Sequence, residues 1–541
     1  MGYFFLMWIE SMAVCVLFVA GTTAIFARRP RRRVQVLWSI FFGALVLLGA
    51  AAKTAGVYLL VHYLIIRPWW LAYILSWTIV FAIAAAIVIV RGLRRREDGF
   101  PQARRWSVAR IAIADGAALA LALITYWNID LTAKTRLAAM RAEVGAIALS
   151  VAPARVPDRQ NAALVYQKAF DAMVKLDNQP EEVQEKWKRW LDCQPTTPLD
   201  FKDADLRAFL KKNEAATALL RRAAAMPDCY FEHNYAQPSF GELMPELWQM
   251  RHGADLLVLD ARCKAADGNA RGALEDVNCL FAMAAHARSE PMVVCVLSAA
   301  AIDSMAARTL EDVLASTRPK AEDLAVLAID EGSPYQHSMA RAFRMEEAFV
   351  LGFFTTLTEV QDSEALHQIK APPLLVAEPM ASVWRTFLLP DDIASYRRVM
   401  HHYAMMTAKP YREARADWEK WDKEFGATAV GLFTRMMVPA LSGAAKCTVE
   451  ADARHQLARA AVAVETYRAK TAKWPARLDD LVPDYLDAVP MDPFDGKPMR
   501  MAAAQGAIVL YSVGPDLKDE TGAAWDKEKR EGDITFRLPA P

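Results

Sequence analysis

The sequence predicts a mostly α-helical protein in three parts: a four-helix transmembrane domain in residues 1–130, an all-helical soluble domain in residues 131–450, and a small α+β module in residues 451–541. Three observations lead to this prediction. Long apolar runs are confined to the first part, amphipathic helical patterns fill the second, and the third combines one long helix with turn signals and short strand patterns. At 541 residues the chain is also too long for one ordinary hydrophobic core.

The transmembrane prediction rests on four apolar stretches of sufficient length. A helix needs about 20 predominantly apolar residues to cross the hydrocarbon core of a bilayer, because lipid offers no partner to unpaired backbone groups. The four stretches cover residues 3–27, 34–66, 69–90 and 108–129. We therefore expect the lipid bilayer to be a partner of this protein.

The charges between these stretches predict the orientation. Residues 1–130 contain 14 Lys and Arg against 5 Asp and Glu. The first loop holds five Arg and the third holds six, whereas the second has Arg67 alone. Because basic loops stay in the cytoplasm, we expect the N-terminus and the soluble domain on the outer side. This orientation predicts a protein of the bacterial inner (cytoplasmic) membrane with its soluble domain in the periplasm.

The rest of the chain has the opposite charge balance. It contains 50 Lys and Arg against 58 Asp and Glu, so it is mildly acidic. Binding to nucleic-acid phosphates requires clustered Lys and Arg, so we expect no nucleic acid among the partners. The basic excess near the N-terminus is instead accounted for by the membrane orientation.

Two ionisable residues inside the apolar stretches are expected to form an intramembrane pair. Glu10 lies 17 residues before the end of the first stretch, and Lys53 lies 19 residues after the start of the second. At a rise of about 1.5 Å per residue, a tight helical hairpin would bring both side chains to the same depth. Charged groups are costly in lipid, which favours pairing. The alternative is that each side chain reaches water separately at the outer interface.

Amphipathic patterns predict a series of helices in the soluble domain. Apolar residues recur at helical spacing in residues 203–225, 240–266, 270–287, 292–314, 319–329 and 338–354. Gly268 and Asn269 lie between two of these segments and predict a tight turn, which joins them into a helical hairpin. The last segment carries Arg344 and Glu347 at i, i+3 spacing, which predicts a pair on the helix surface.

The cysteines leave two alternatives open. None of the six that follow the membrane part belongs to a Cys-x-x-Cys motif, so zinc is not expected. Cys263 and Cys279 flank the predicted turn, and Cys193 and Cys229 flank another helical stretch. Both pairs could form disulfides in an oxidising compartment. The other alternative is that the thiols on apolar helix faces are buried and free.

The C-terminal module has a distinctive order of short motifs. After its helix come Trp-Pro at 474–475, Leu-Asp-Asp-Leu-Val-Pro at 478–483, Val-Pro-Met-Asp-Pro-Phe-Asp-Gly-Lys-Pro at 489–498, Tyr-Ser-Val-Gly-Pro-Asp at 511–516 and Gly-Asp-Ile at 532–534. This order resembles the globular part of major pseudopilins of type II secretion. The resemblance implies a helix against a small antiparallel sheet, and strand patterns fall at 498–503, 507–513 and 533–538.

Two features limit what this resemblance implies. The prepilin-type leader and the single N-terminal helix of pseudopilins do not precede the module here, so assembly into a fibre is not expected. Two segments of the helical domain are Asn-Ala-Ala-Leu-Val-Tyr at 161–166 and Gly-Asn-Ala-Arg-Gly-Ala-Leu at 268–274. With these segments, the whole arrangement also resembles large bacterial envelope proteins that pair a helical domain with such an ending. That wider resemblance implies no activity.

The resemblance to pseudopilins also implies a possible calcium site in the late loop. The matching positions are Asp516 and Asp533, with Asp519 nearby and backbone oxygens around residues 511–514. Calcium takes six to eight oxygen ligands, which three carboxylates and neighbouring carbonyls could supply. The same loop carries the basic residues Lys527, Lys529 and Arg530. The alternative is therefore a solvated loop without an ion.

The sequence contains no motif that would identify a catalytic residue. It lacks a G-x-S-x-G elbow, H-E-x-x-H, a Walker loop and G-x-G-x-x-G. We therefore expect a scaffold or assembly factor that binds other envelope proteins through its external domain. The alternative is a membrane-tethered enzyme or ligand-binding receptor with a pocket in the helical domain. A cleft lined by perturbed acids or His would favour the alternative, and a broad apolar patch would favour the scaffold.

Overall fold

The computed structural model describes residues 131–132, 135–136, 138–174, 181–182, 184, 201–236, 244–332, 334–356, 389–425, 432–504, 506–526 and 531–539. The chain divides into two compact units, Met1–Ile129 and Asp130–Pro541, and every described residue belongs to the second. The four predicted transmembrane stretches, with Glu10 and Lys53, lie outside the described residues. The orientation and the intramembrane pair therefore stay predictions.

The described part is mostly helical and has a small antiparallel sheet near its C-terminus, as the sequence predicts. The helices are α1 (Ala162–Ala172), α2 (Ala204–Lys212), α3 (Glu214–Ala224), α4 (Pro245–Ala266), α5 (Ala270–Ser289), α6 (Val293–Thr317), α7 (Ala321–Leu324), α8 (Pro334–Thr356), α9 (Leu389–Thr407), α10 (Tyr411–Phe425) and α11 (Leu432–Thr471). A 3₁₀ turn (Leu478–Leu481) precedes the strands β1 (Arg500–Ala504), β2 (Ala507–Ser512) and β3 (Ile534–Pro539).

Three consecutive helices, α4, α5 and α6, form the centre of the helical core. The predicted turn joins α4 to α5: Gly268 adopts a φ of +78°, which favours glycine, and Asn269 accepts a hydrogen bond from the N–H of Gly272 (3.0 Å). In the part of the chain that the structure describes, α6 alone is long and apolar enough to cross a membrane. Because 67% of its most apolar window is buried inside the protein, it is a core helix here.

A second group of helices connects the core to the sheet. Helix α8 packs against α9, and both pack against α11, which is 40 residues long. The strands β2 and β3 lie on α11, and β3 also contacts α6, where the N–H of Arg537 donates to Glu311 (3.2 Å). The predicted boundary between residues 450 and 451 therefore falls inside a continuous helix that both parts share.

The sheet has the order β1-β2-β3, with Leu510 of β2 opposite Met501 and Phe536 on its two neighbours. Asp492, from the Met-Asp-Pro-Phe motif, is fully buried beside the sheet. Its carboxylate accepts hydrogen bonds from the N–H of Phe494, the hydroxyl of Ser512 and the N–H of Val513, each at 2.9 Å. This motif of the module is therefore explained by its structural role.

Two predicted helices differ from the observed ones because side chains compete for backbone hydrogen bonds. The predicted helix at 203–225 is broken at Asn213, which is fully buried and accepts a hydrogen bond from the N–H of Val174 (2.8 Å). The predicted helix at 319–329 is only the single turn α7, because the N–H of Ala328 donates to the side chain of Asn278 (2.8 Å). The predicted surface pair also differs, since Glu347 pairs with Arg397 of α9 (3.7 Å).

Candidate functional site

A pocket of about 640 Å³ lies between α4, α6 and α8. Its walls are predominantly apolar, with Leu247 from α4, Leu297 from α6 and Phe349 from α8. Sites for small organic ligands in proteins have volumes of about 300–1,000 Å³ and similar apolar walls with a few polar groups. The pocket therefore has the size and lining of a small-molecule site.

Glu346 of α8 is the acid that lines this pocket. It makes no hydrogen bond or ion pair with any residue that the structure describes. Burial raises the pKa of its carboxyl to about 7, because loss of hydration disfavours the charged form and no positive charge in the described part of the chain opposes this effect. An uncompensated acid in an apolar wall is costly to the folded state, and such groups concentrate at functional sites.

The rim of the pocket exposes large apolar side chains. Trp248 is 58% exposed and Val294 is 51% exposed, although both are large enough to favour burial. The ring of Trp248 packs edge to face against His252, with 4.4 Å between the ring centroids. Arg251, the other charged residue of the lining, is already paired with Asp255 (3.4 Å). The rim therefore offers an aromatic surface and one neutralised cation.

A second buried acid, Glu290, lies at the C-terminus of α5 and is fully partnered. Tyr235 donates a hydrogen bond from its hydroxyl to Glu290, and the N–H of Phe231 donates another (3.2 Å). Burial raises the pKa of Glu290, but these donors hold its carboxyl in place. His233 and Glu246 pair alongside (3.2 Å). This cluster ties the segment after α3 to the core, so we interpret it as structural.

The buried pair of Asp303 and His455 joins α6 to α11. The Nδ1 atom of His455 lies 2.8 Å from Asp303, and its Nε2 atom donates to the carbonyl of Asp330 (3.0 Å). Burial is the largest single effect and would lower the pKa of His455, but the charge and hydrogen bond of Asp303, together with the hydrogen bond to the carbonyl of Asp330, outweigh it, so the pKa is raised. Because both ring nitrogens are occupied, this His is not available as a general base.

The late loop, residues 513–533 between β2 and β3, contains the three acids predicted to bind calcium. Asp533 is fully buried, and its Oδ2 accepts from the N–H of Gly522 (2.7 Å). Its Oδ1 makes no well-formed hydrogen bond with the described residues, although the backbone N–H of Glu520 also acts to lower the pKa of this carboxyl. Burial raises the pKa of Asp533 to about 6. Asp516 is similar: its Oδ1 accepts from the N–H of Lys518 (3.1 Å), and its buried Oδ2 is without a partner there.

Asp519 differs from the other two predicted ligands, because its Oδ2 lies 3.2 Å from the guanidinium of Arg500. Glu520, which sequence reasoning missed, has a buried Oε2 without a partner in the described part of the chain. Lost hydration and the charge of Asp516 raise the pKa of Glu520. The structure therefore places the unsatisfied oxygens on Asp516, Glu520 and Asp533. The pseudopilin resemblance pointed only to aspartates, so Glu520 had no signal.

Unsatisfied carboxylate oxygens are the ligand type that calcium prefers, so the chemistry of this loop fits the ion. In this arrangement, however, no three acidic, His or Cys side chains among the described residues form a group close enough to hold a metal ion. Ion binding would have to draw the carboxylates together. The basic residues at 527, 529 and 530 lie outside the described residues.

The cysteines that the structure describes are free thiols. They are Cys229, Cys263, Cys279, Cys295 and Cys447, of which all but the last are buried. Of the two alternatives left open for the cysteines that flank the turn, this structure has the buried free thiols and not the disulfide. The partner proposed for Cys229, at position 193, lies outside the described residues.

Comparisons of the chain with protein-family models, with curated proteins and with solved structures found no match. The resemblance of residues 474–534 to pseudopilins therefore stays a prediction based on the residues themselves.

Proposed function

We propose that the protein is a membrane-anchored envelope protein whose external helical domain binds a small organic ligand in the pocket between α4, α6 and α8. Four N-terminal transmembrane helices would hold this domain on the outer side of the cytoplasmic membrane. One observation carries the proposal: Glu346 lies in the apolar lining of a pocket of about 640 Å³ and forms no ion pair or hydrogen bond with the other described residues. A bound ligand would offset the cost of that carboxyl.

Two exposed apolar side chains at the pocket support ligand binding there. Trp248 and Val294 are both more than half exposed, and both line the pocket. Exposed apolar surface of this kind is used by ligand-binding grooves.

Ligand binding can be tested by identifying compounds that copurify with the protein. The full-length chain is extracted with its native lipids and denatured, and the released small molecules are measured by mass spectrometry. The variant Ala301→Trp places an indole in the pocket lining, whereas Ala315→Trp is a matched control at an exposed position of the same helix. We expect a compound that copurifies with the wild type and the control but not with Ala301→Trp. Identical profiles for all three proteins would contradict the proposal.

The scaffold interpretation stays a prediction with a separate test. Cross-linking in intact cells, followed by purification of the tagged protein, would identify envelope proteins that accompany it. A stoichiometric partner that persists with Ala301→Trp would favour a scaffold that acts independently of the pocket. Loss of the partner in that variant alone would indicate that ligand and partner binding are linked.

We also propose that the late loop binds calcium, supported by the unpartnered carboxylate oxygens of Asp516, Glu520 and Asp533. A bound calcium ion would supply positive charge that neutralises these acids. It would thereby stabilise the connection between β2 and β3, which is a structural role. The alternative of a solvated loop leaves the three oxygens to water.

Thermal unfolding of the full-length protein in nanodiscs tests the calcium proposal. Calcium at about 100 times its dissociation constant stabilises the bound state by about 2.7 kcal/mol, so the unfolding midpoint should rise relative to a chelator. Asp533→Asn should reduce that rise, whereas Asp479→Asn, an exposed acid on the 3₁₀ turn, should preserve it. Equal midpoints in calcium and chelator would eliminate the calcium site.

A further inference from the structure

The pocket lining contains one charge that the described residues leave uncompensated. Its polar residues are Arg251, Ser298 and Glu346. Arg251 already pairs with Asp255 (3.4 Å), so its positive charge does not neutralise the glutamate. No ion pair or hydrogen bond joins Glu346 to another described residue. The electrostatic character of the lining is therefore that of a single unpaired carboxyl among apolar side chains.

The residues around this carboxyl do not supply a counter-charge. Cys295 of α6 and Tyr396 of α9 are close enough for Glu346 to raise their pKa values further above those set by burial, so both stay neutral. The hydroxyl of Tyr396 is itself buried without a hydrogen-bond partner among the described residues. Glu347, the next residue along α8, pairs with Arg397 instead (3.7 Å).

Resting on the proposed function, we infer that the ligand of this pocket is an organic cation: an amine or ammonium group that pairs with Glu346, joined to an apolar body that fills the space lined by Leu247, Leu297 and Phe349. An ammonium group beside a carboxylate is strongly favourable in a region of low dielectric. A carboxylate ligand would add a second negative charge and is disfavoured. A neutral ligand would leave the glutamate without a counter-charge.

The exposed Trp248 at the rim is consistent with the same ligand class. Indole is the aromatic side chain that attracts cations most strongly, through the negative face of its ring. Trp248 and Glu346 line the same pocket, so one organic cation could contact both the indole and the carboxyl.

Three probes with one carbon skeleton test this inference: 4-phenylbutylamine (a cation), 4-phenylbutanol (neutral) and 4-phenylbutyrate (an anion). Their dissociation constants are measured at pH 8 on the full-length protein in nanodiscs, with empty nanodiscs as the background. At this pH an amine is still protonated, because its pKa lies near 10. We expect the amine to bind at least tenfold more tightly than the alcohol, and the butyrate to bind most weakly.

Two substitutions on adjacent residues locate the effect. Glu346→Gln keeps the shape of the side chain but removes its charge, so the preference for the amine over the alcohol should fall to threefold or less. Glu347→Gln removes an acid outside the pocket lining and should leave the preference unchanged. An amine that binds no more tightly than the alcohol, or a preference that survives Glu346→Gln, would overturn the inference.

The outcome also separates this inference from the proposed function. Alcohol or butyrate binding that Ala301→Trp abolishes, without a preference for the amine, would retain the ligand pocket and reject the cation. Binding of no probe, together with a copurifying compound that has no basic nitrogen, would also reject the cation alone. Binding of no probe and no compound sensitive to Ala301→Trp would reject both.

Discussion

Helix α4 belongs to two regions of the molecule that differ in how their charged side chains are paired. Toward α3 and α5, its Asp260 and Lys264 join Arg221 and Asp276 in a network of four ion pairs. Toward α6 and α8, the same helix lines the pocket in which Glu346 forms no ion pair with any described residue. The comparison shows that acids on the two sides of one helix differ in the cations that the described residues supply to them.

The two acids differ in burial and in their surroundings, because Glu346 is only partly buried and lines the open pocket. Asp276 is fully buried, and it lies 2.6 Å from both Arg221 and Lys264. Burial raises its pKa to about 6 although both cations oppose the shift. For Glu346, burial raises the pKa to about 7 without opposition. A raised pKa means that either acid is costly when ionised. Asp276 differs because Arg221 and Lys264 depend on its charge, so removing it leaves two cations without that partner, whereas removing the charge of Glu346 breaks no ion pair among the described residues.

The largest expected effect is the loss of the structural acid. Asp276→Asn removes the charge that Arg221 and Lys264 share, and breaking a partly buried ion network costs about 3 kcal/mol. The free energy of unfolding would be measured by urea titration of the full-length protein in nanodiscs. Glu275→Gln is the matched control, since its pair with Arg271 is exposed and is worth at most about 0.5 kcal/mol. Equal stabilities for the two variants would contradict the structural role of the network.

Substitution of Glu346 should raise the free energy of unfolding, whereas substitution of Asp276 should lower it. Glu346→Gln removes a carboxyl that is costly when charged, so the variant should be about 1–3 kcal/mol more stable than the wild type at pH 8. The same urea titration in the absence of ligand measures this difference. A loss of stability would mean that the carboxyl has a stabilising partner and would remove the basis of the comparison.

The difference in free energy of unfolding between Glu346→Gln and the wild type should depend on pH. The folded-state pKa of about 7 lies above the ordinary value of 4.5, so folded Glu346 retains its proton in a range where the unfolded chain has lost it. The wild type therefore loses stability as the pH rises from about 4.5 to 7, and the loss levels off above that range. The advantage of Glu346→Gln should be absent at pH 4.5 and complete at pH 8.

Local patterns were sufficient to predict many of the helices and strands that the structure describes. The predicted strand at 507–513 is β2, and the segments at 270–287 and 292–314 are α5 and α6, because apolar periodicity depends only on neighbouring residues. The break at Asn213 was not predicted, since it depends on a hydrogen bond to a residue 39 positions away. Tertiary contacts of this kind leave no local periodic signal.

The pocket could not be predicted for the same reason. Its walls come from three helices that are distant in the sequence, and Glu346 is one of several charged residues on α8. The sequence singled out the neighbouring pair of Arg344 and Glu347, because spacing on one helix is visible without the fold. In the late loop, the burial of Asp533 was likewise invisible, whereas its proximity in sequence to Gly532 and Ile534 supported the resemblance.

A smaller loss is expected when the network loses one of its two cations. Lys264→Met leaves Asp276 paired with Arg221, so the cost should be about 1 kcal/mol, well below that of Asp276→Asn. Lys212→Met, at an exposed position at the end of α2, is the control. The double variant Lys264→Met/Asp276→Asn should cost less than the sum of the single changes, because the residues interact directly. Strict additivity would show that the contact at 2.6 Å is energetically unimportant.

The smallest effect on stability is expected for Trp248 at the rim of the pocket. Its substitution should change ligand retention while leaving the free energy of unfolding nearly constant. Trp248 is 58% exposed, so Trp248→Ala should change the free energy of unfolding by no more than about 0.5 kcal/mol. The same substitution removes the aromatic surface at the entrance, so retention of the copurifying compound should fall. Met405→Ala, at a 48% exposed position on α9, should change neither quantity. If Trp248→Ala lowers the free energy of unfolding and leaves retention of the copurifying compound intact, the indole contributes to folding and not to ligand binding. The difference between the pocket and the ion-pair network on the other side of α4 would then rest on Glu346.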